Sequence, residues 1–129
     1  MKIKRFEELE IWKTSLEITR EIYNLAAKRE FSKDFGLKEQ IRRAIISVSS
    51  NIVEGFEKNN NNEFIRFLKI SKGSAGEVRN QLHIALIVGY ITEEEFIKTN
   101  KDLEGLAGQI GGFIRYLENK RKNKEFIIR

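Results

Sequence analysis

Two carboxylates occupy places where an apolar core has no use for them. Glu54 stands in SSNIVEGF, among Ile52, Val53 and Phe56, and Glu77 stands in KGSAGEVRNQL. On a helix turning about 100° per residue, Gln40, Arg43, Ser47, Asn51 and Glu54 fall in one narrow stripe beside the apolar face. Ser74, Glu77 and Gln81 make a matching stripe further along. Acid or base catalysis by either glutamate would need a carboxyl of displaced pKa inside a cleft. The arginines at 43 and 66 oppose that, because a neighbouring cation keeps a carboxylate ionised. Folded back on each other about the asparagines 59–62, the stripes bring Arg43 to Glu77, Glu54 to Arg66, Ser47 to Ser74 and Gln40 to Gln81. The expected role is a partly buried polar seam that sets the register of two helices. Behind it stand a polar pocket for a ligand or RNA and, last, an acid/base site.

Other chemistry lacks its parts. Di-iron bundles need Glu-x-x-His motifs, and the chain holds one histidine, His83, which falls off the core face. There is no cysteine, which excludes disulfide scaffolds and thiolate metal sites. No G-x-x-x-x-G-K-[ST] loop is present. KGSAGE, residues 72–77, is glycine-rich but lies inside a helical pattern, so its glycines are expected to permit close helix packing. The sequence therefore points away from an enzyme, and from any metal or cofactor.

The elements that position these residues are helical. The chain has 129 residues, 40% hydrophobic and 33% charged, with no proline, which suits one domain of long helices. Hydrophobic periodicity predicts an all-α fold with helices over roughly 9–29, 37–56, 61–88 and 92–122. The first is expected to bury Leu9, Trp12, Leu16, Thr19, Tyr23 and Ala26, with Phe6 on its first turn. The second is expected to bury Leu37, Ile41, Ala44, Ile45, Val48 and Ile52 and to stop at Gly55 and the asparagine run. The third offers Phe64, Phe67, Leu68, Ser71, Ala75, Val78, Leu82 and Ala85. The fourth offers Phe96, Leu103, Leu106, Ala107, Ile110, Phe113, Ile114 and Leu117. Asn60 with Glu63, and Thr92 with Glu95, have capping-box spacing. Short connections between four such helices predict an antiparallel up-down-up-down four-helix bundle spanning 1–122, followed by a basic and apolar tail, 123–129.

The N-terminus MKIKRFEELEIW has no apolar core of a signal peptide, and no apolar run reaches the roughly 20 residues of a membrane span. The expected location is cytoplasmic, with no membrane partner. Net charge is +5, most of it from the end of the chain: residues 91–114 sum to −3 and residues 115–129 to +4. A basic small protein is compatible with nucleic-acid binding. The candidate contacts are Lys69 and Lys72 on the third helix and Lys120, Arg121, Lys122 and Lys124 at the end of the fourth. No aromatic residues interleave with them, so sequence-specific base reading is not expected.

Gly105, Gly108 and Gly112 lie opposite the apolar face of the fourth helix, where each costs about 1 kcal/mol relative to alanine. Small residues on an outer stripe let another backbone approach, and Ile46 and Val53 add an apolar back face to the second helix. Together they mark an expected interface with a second copy of the chain.

FEELEIW, QIRRAIISVSSNIVEGF, EFIRFLKISKGSAGEVRNQL and VGYIT resemble the intervening-sequence proteins encoded within bacterial 23S rRNA genes, over roughly residues 5–117. Gln40, Arg43, Ala44, Ser47, Asn51, Glu54, Gly55, Gly73, Ser74, Glu77 and Gln81 carry most of the likeness. The resemblance implies a four-helix bundle assembled as a pentamer, with no catalytic residues to carry over. The chain is also similar to the accessory variability protein of diversity-generating retroelements, a basic pentameric barrel that works with a reverse transcriptase and nucleic acid. The resulting expectation is a non-enzymatic homo-oligomer that binds nucleic acid, RNA first, through basic surface and without strong sequence specificity. The alternative is a protein-interaction module, a scaffold for a polymerase or a partner helix, with Phe126, Ile127 and Ile128 as a docking end.

Overall fold

The computed structural model describes residues 3–122. A 3-10 turn, Phe6–Glu8, leads into four helices: α1 (Glu10–Ala26), α2 (Phe35–Glu57), α3 (Asn61–Ile87) and α4 (Glu93–Lys122), with a second 3-10 turn, Phe31–Lys33, between α1 and α2. Each helix packs on its chain neighbours, and α1 closes the ring against α4. This is an antiparallel four-helix bundle, with no strand element among the described residues.

The joints follow from local chemistry. Asp34 caps α2 by accepting from the Leu37 N–H at 3.1 Å, and Tyr90 donates its hydroxyl to the other carboxylate oxygen at 2.9 Å. Those two bonds, the backbone one first, hold the Asp34 carboxyl below its ordinary pKa. Phe31, fully buried, stacks 5.4 Å from Tyr90, so the α1–α2 connection is tied to the α3–α4 connection. Asn59 adopts φ 54°, the left-handed conformation that ends a helix, and Asn60 then accepts from the Glu63 N–H at 3.0 Å to begin α3. Gly89, at φ 85°, ends α3 in the same way, with Tyr90 N–H bonded back to the Ala85 carbonyl at 2.8 Å. At α4 both arms of the capping box form: Glu95 N–H donates to Thr92 Oγ1 at 3.1 Å, and Thr92 N–H donates to Glu95 Oε1 at 2.8 Å.

The apolar faces expected of α2, α3 and α4 point inward, with Leu37, Phe96, Ala107 and Phe113 at their edges. That of α1 is different. Its buried residues are Ile11, Ser15, Ile18, Ile22, Leu25 and Ala26, while Leu16 is exposed. Two apolar stripes compete on this helix, and the one with more β-branched bulk turns inward. Leu9 and Ala26 lie at its ends and are buried all the same, and Trp12 is half-buried with Phe6 edge-on at 5.2 Å.

Gly55 does not stop α2. The helix runs through it to Glu57, and a Cβ at Gly55 would stand 2.7 Å from Phe67 Cβ and 3.0 Å from Phe64 Cδ1. Gly55 is therefore where α2 and α3 come close enough to exclude a methyl group. The reverse holds for Gly73 and Gly76, expected to mediate packing: both face open space.

Candidate nucleic-acid interface

Of the pairs expected across α2 and α3, the hydroxyls meet and the charges do not. Ser47 Oγ lies 2.9 Å from Ser74 Oγ, and the Asn51 side-chain amide donates to the Ser47 carbonyl at 2.8 Å and hydroxyl at 3.0 Å. Buried Ser71 donates to the Val48 carbonyl at 2.7 Å. Arg43 is exposed and turns along its own helix to Glu39 at 3.9 Å, leaving Glu77 in solvent. Removing Arg43 would therefore strand no buried charge. Arg66 likewise takes Glu63, three residues away, at 3.1 Å. Its pKa is raised first by the hydrogen bond to Glu63, with the charge of Glu54 the last contribution. Gln40 is exposed, whereas Gln81 is buried with an Oε1 that meets no donor among the described residues. Charged side chains this long find a partner one helical turn away at less entropic cost than across the groove. The seam is thus a short hydroxyl–amide contact rather than a charged zipper.

The expected basic residues divide. Lys69 and Lys72 come together on one side of α3, facing Gly111, Ile114, Arg115 and Glu118 of α4 across a cleft of about 510 Å³. Lys72 Nζ lies 3.5 Å, and an Arg115 guanidinium nitrogen 3.6 Å, from the point where a Cβ on Gly111 would stand. Arg115 also passes 3.8 Å from the corresponding point on Gly112, because a long helical side chain leans back over the turn before it. The guanidinium thus lies over Gly111 and Gly112, within van der Waals reach of both. Lys69, Lys72 and Arg115 make no ion pair among the described residues, although Glu118 lines the same cleft. Lys120 lies 5.6 Å over the ring of Tyr116. Arg121 and Lys122 close α4; Lys124 and the apolar end Phe126–Ile128 lie outside the described residues.

Arg115 is counted in the basic end of the chain but is missing from the contacts expected there. Its signal is the spacing to Gly111 and Gly112, four and three residues back, which places it over two missing side chains.

The residues expected to face a second copy also divide. Gly105 and Gly108 are exposed to open space, whereas Gly112 is covered by Arg115 of its own chain. Ile46 is exposed and Val53 half-buried. Gly105 borders a groove between α1 and α4, where Lys98 bridges Glu21 at 3.2 Å and Asp102 at 2.7 Å, and Thr99 donates to Glu21 at 3.2 Å. Burial and then the nearby Asp102 carboxyl raise the Glu21 pKa, while the Lys98 hydrogen bond lowers that of Asp102. His83 is exposed and packs on Phe96, ring to ring at 4.6 Å. No group of three or more His, Cys, Asp or Glu among the described residues is arranged to hold a metal, and no helix among them is long and apolar enough to cross a membrane.

An antiparallel bundle with a hydroxyl seam between α2 and α3 and a cleft lined by Lys69, Lys72 and Arg115 between α3 and α4 defines an all-helical protein of the four-helix-bundle class. The sequence model of the 23S rRNA-intervening sequence protein family matches residues 7–112, and the chain belongs to that family. A crystal structure from Bacteroides thetaiotaomicron VPI-5482, a protein of unknown function from the S23 ribosomal protein family, is similar in fold. It has a TM-score of 0.73 and 26% identity, over 81% of this chain and 97% of that one. Comparison with curated proteins finds no match.

Proposed function

We propose that the protein is a non-enzymatic, self-assembling helical bundle that holds nucleic acid, RNA first, by its phosphate backbone and without strong sequence specificity. The observation that carries this reading is the convergence of Lys69, Lys72 and Arg115 on one cleft, with no carboxylate among the described residues bridging them. Like charges held together repel, and a polyanion that enters the cleft relieves that repulsion while releasing its own counterions. The family, whose name refers to 23S rRNA, supports an RNA-related role. In a pentamer of the kind the family resemblance implies, each cleft is repeated around the ring, so modest affinity per site is multiplied. The open glycines Gly105 and Gly108 are the proposed contact with the next copy.

Light scattering with a mixed-sequence RNA at two salt concentrations tests both parts. The expected result is an oligomer that binds RNA at low salt and loses most of it at moderate salt. A monomer, or RNA binding indifferent to salt, overturns the corresponding part. Gly108→Ala tests the contact: the added methyl holds a neighbouring backbone off without touching the chain's own fold, so dissociation of the oligomer with the helix content of the parent retained identifies the interface.

A second reading has an observation of its own. Phe35 at the start of α2 and Ile87 and Val88 at the end of α3 are 73%, 84% and 54% exposed, at the end of the bundle where these helices meet. Such an apolar end suits a protein partner, for example a polymerase of the kind served by the retroelement accessory protein. Partner binding that survives high salt and disappears in Ile87→Ser favours it.

A further inference from the structure

We propose that Lys72 and Arg115 form a seat for a single phosphate group above Gly111, a particular site within the broader basic surface. The nucleic-acid source of that phosphate rests on the function proposed above; the seat itself rests on geometry. Gly111 is buried beneath the two side chains, whose charged ends stand 3.5 and 3.6 Å from one point on α4. The two come from different helices, α3 and α4, and meet where those helices pack. Their chemistry is complementary: the guanidinium offers a planar pair of donors, and the ammonium a compact point charge, a combination suited to a tetrahedral oxyanion. Lys69 lines the cleft beside them, and exposed Gly73 keeps the α3 wall free of side-chain bulk. Elsewhere, opposed long charges on adjacent helices are paired, as in Lys28–Glu95, Arg79–Glu104 and Lys98–Glu21. At this cleft the cations converge, and Glu118 joins none of them.

The ligand is a phosphate, carried by a nucleic-acid strand or free in solution, and the experiment separates the two sources. The full chain, labelled with 15N, is titrated with inorganic phosphate at low salt. Backbone shifts are expected to concentrate at Gly111, Gly112, Arg115 and Lys72. Mixed-sequence RNA binding is then measured against salt for the parent and three variants. Arg115→Gln removes one charge from the exposed seat. Gly111→Leu leaves all charges in place and fills the floor. Arg20→Gln removes an exposed cation from α1 as a control. Arg115→Gln and Gly111→Leu are each expected to weaken RNA binding roughly three- to tenfold and to lower the salt slope by about 0.7, the value of one phosphate contact on a single strand. Arg20→Gln is expected to change neither. Arg115→Gln keeps the test open if Gly111→Leu fails to fold. Phosphate shifts spread evenly over surface lysines, or an Arg115→Gln protein that responds to phosphate as the parent does, overturn the seat even if RNA still binds. Localised phosphate shifts in a protein that binds no RNA uphold the seat, assign it to free phosphate and reject the nucleic-acid reading.

Discussion

The α2–α3 contact and the α1–α4 contact close the same bundle by opposite means. Between α2 and α3 the backbones approach until only glycine fits at position 55, and the polar groups that remain are short: Ser47 on Ser74, and Ser71 on the Val48 carbonyl. Between α1 and α4 most of the polar contacts use long charged side chains, with the Thr99 hydroxyl on Glu21 the short exception. Lys28 reaches Glu95, and Lys98 lies between Glu21 and Asp102. Distance selects the chemistry. Where helices pack closely, hydroxyls bond within the packed layer; where they pack less closely, flexible charged side chains meet directly across the groove. The first kind of contact fixes geometry, and the second responds to pH and salt.

The contrast is broken most severely at Gly55. Gly55→Ala places a methyl against Phe67 Cβ, an atom tied to the backbone, so the helices must separate. The overpacking cost of about 1–3 kcal/mol exceeds the gain of about 1 kcal/mol that alanine brings to a helix interior. Urea unfolding is expected to show a net loss, whereas the same substitution at Gly76, which faces open space on α3, shows a gain. A smaller effect sharpens the dry side. Ser71→Ala removes the donor to the Val48 carbonyl and is expected to cost about 1 kcal/mol in the same assay, with little dependence on salt. The smallest effect tests the wet side. The Lys28 hydrogen bond, then that of the Thr92 N–H, holds the Glu95 carboxyl below its ordinary 4.5, so the native state binds fewer protons there than the unfolded chain. Its contribution is fully present above pH 4.5 and is lost as the pH falls through the lowered native value. Glu95→Gln is therefore expected to melt slightly below the parent at neutral pH, with the gap closing in acid and shrinking in salt. A gap that widens in acid would contradict the assignment.

Much of this was legible in the sequence, for reasons that also mark the limits. Helices α2, α3 and α4 each carry one dominant apolar stripe, so periodicity alone identified their buried faces. Helix α1 carries two, and only packing against its neighbours decides that Ile18 and Ile22 go in while Leu16 stays out. The asparagine turn was readable because both its cap and its left-handed residue are asparagine, a type suited to each role. Gly55 was misread because a glycine that ends a helix and one that admits a neighbour look alike until the neighbour is in place. The register between α2 and α3 was right at Ser47 and Ser74, yet the arginines of the same stripes turned elsewhere. Short side chains report backbone register faithfully, while long ones have several partners within reach. Lys69 and Lys72 stood out as basic residues, but Arg115 acquires its place beside them only when α4 lies across α3.

The contact of Phe6 with Trp12 supplies an optical reporter of the N-terminal turn. The chain contains one tryptophan, so its emission arises from a single place, half-shielded by the Phe6–Glu8 segment. Loosening of that segment would redden the fluorescence while circular dichroism still records four intact helices.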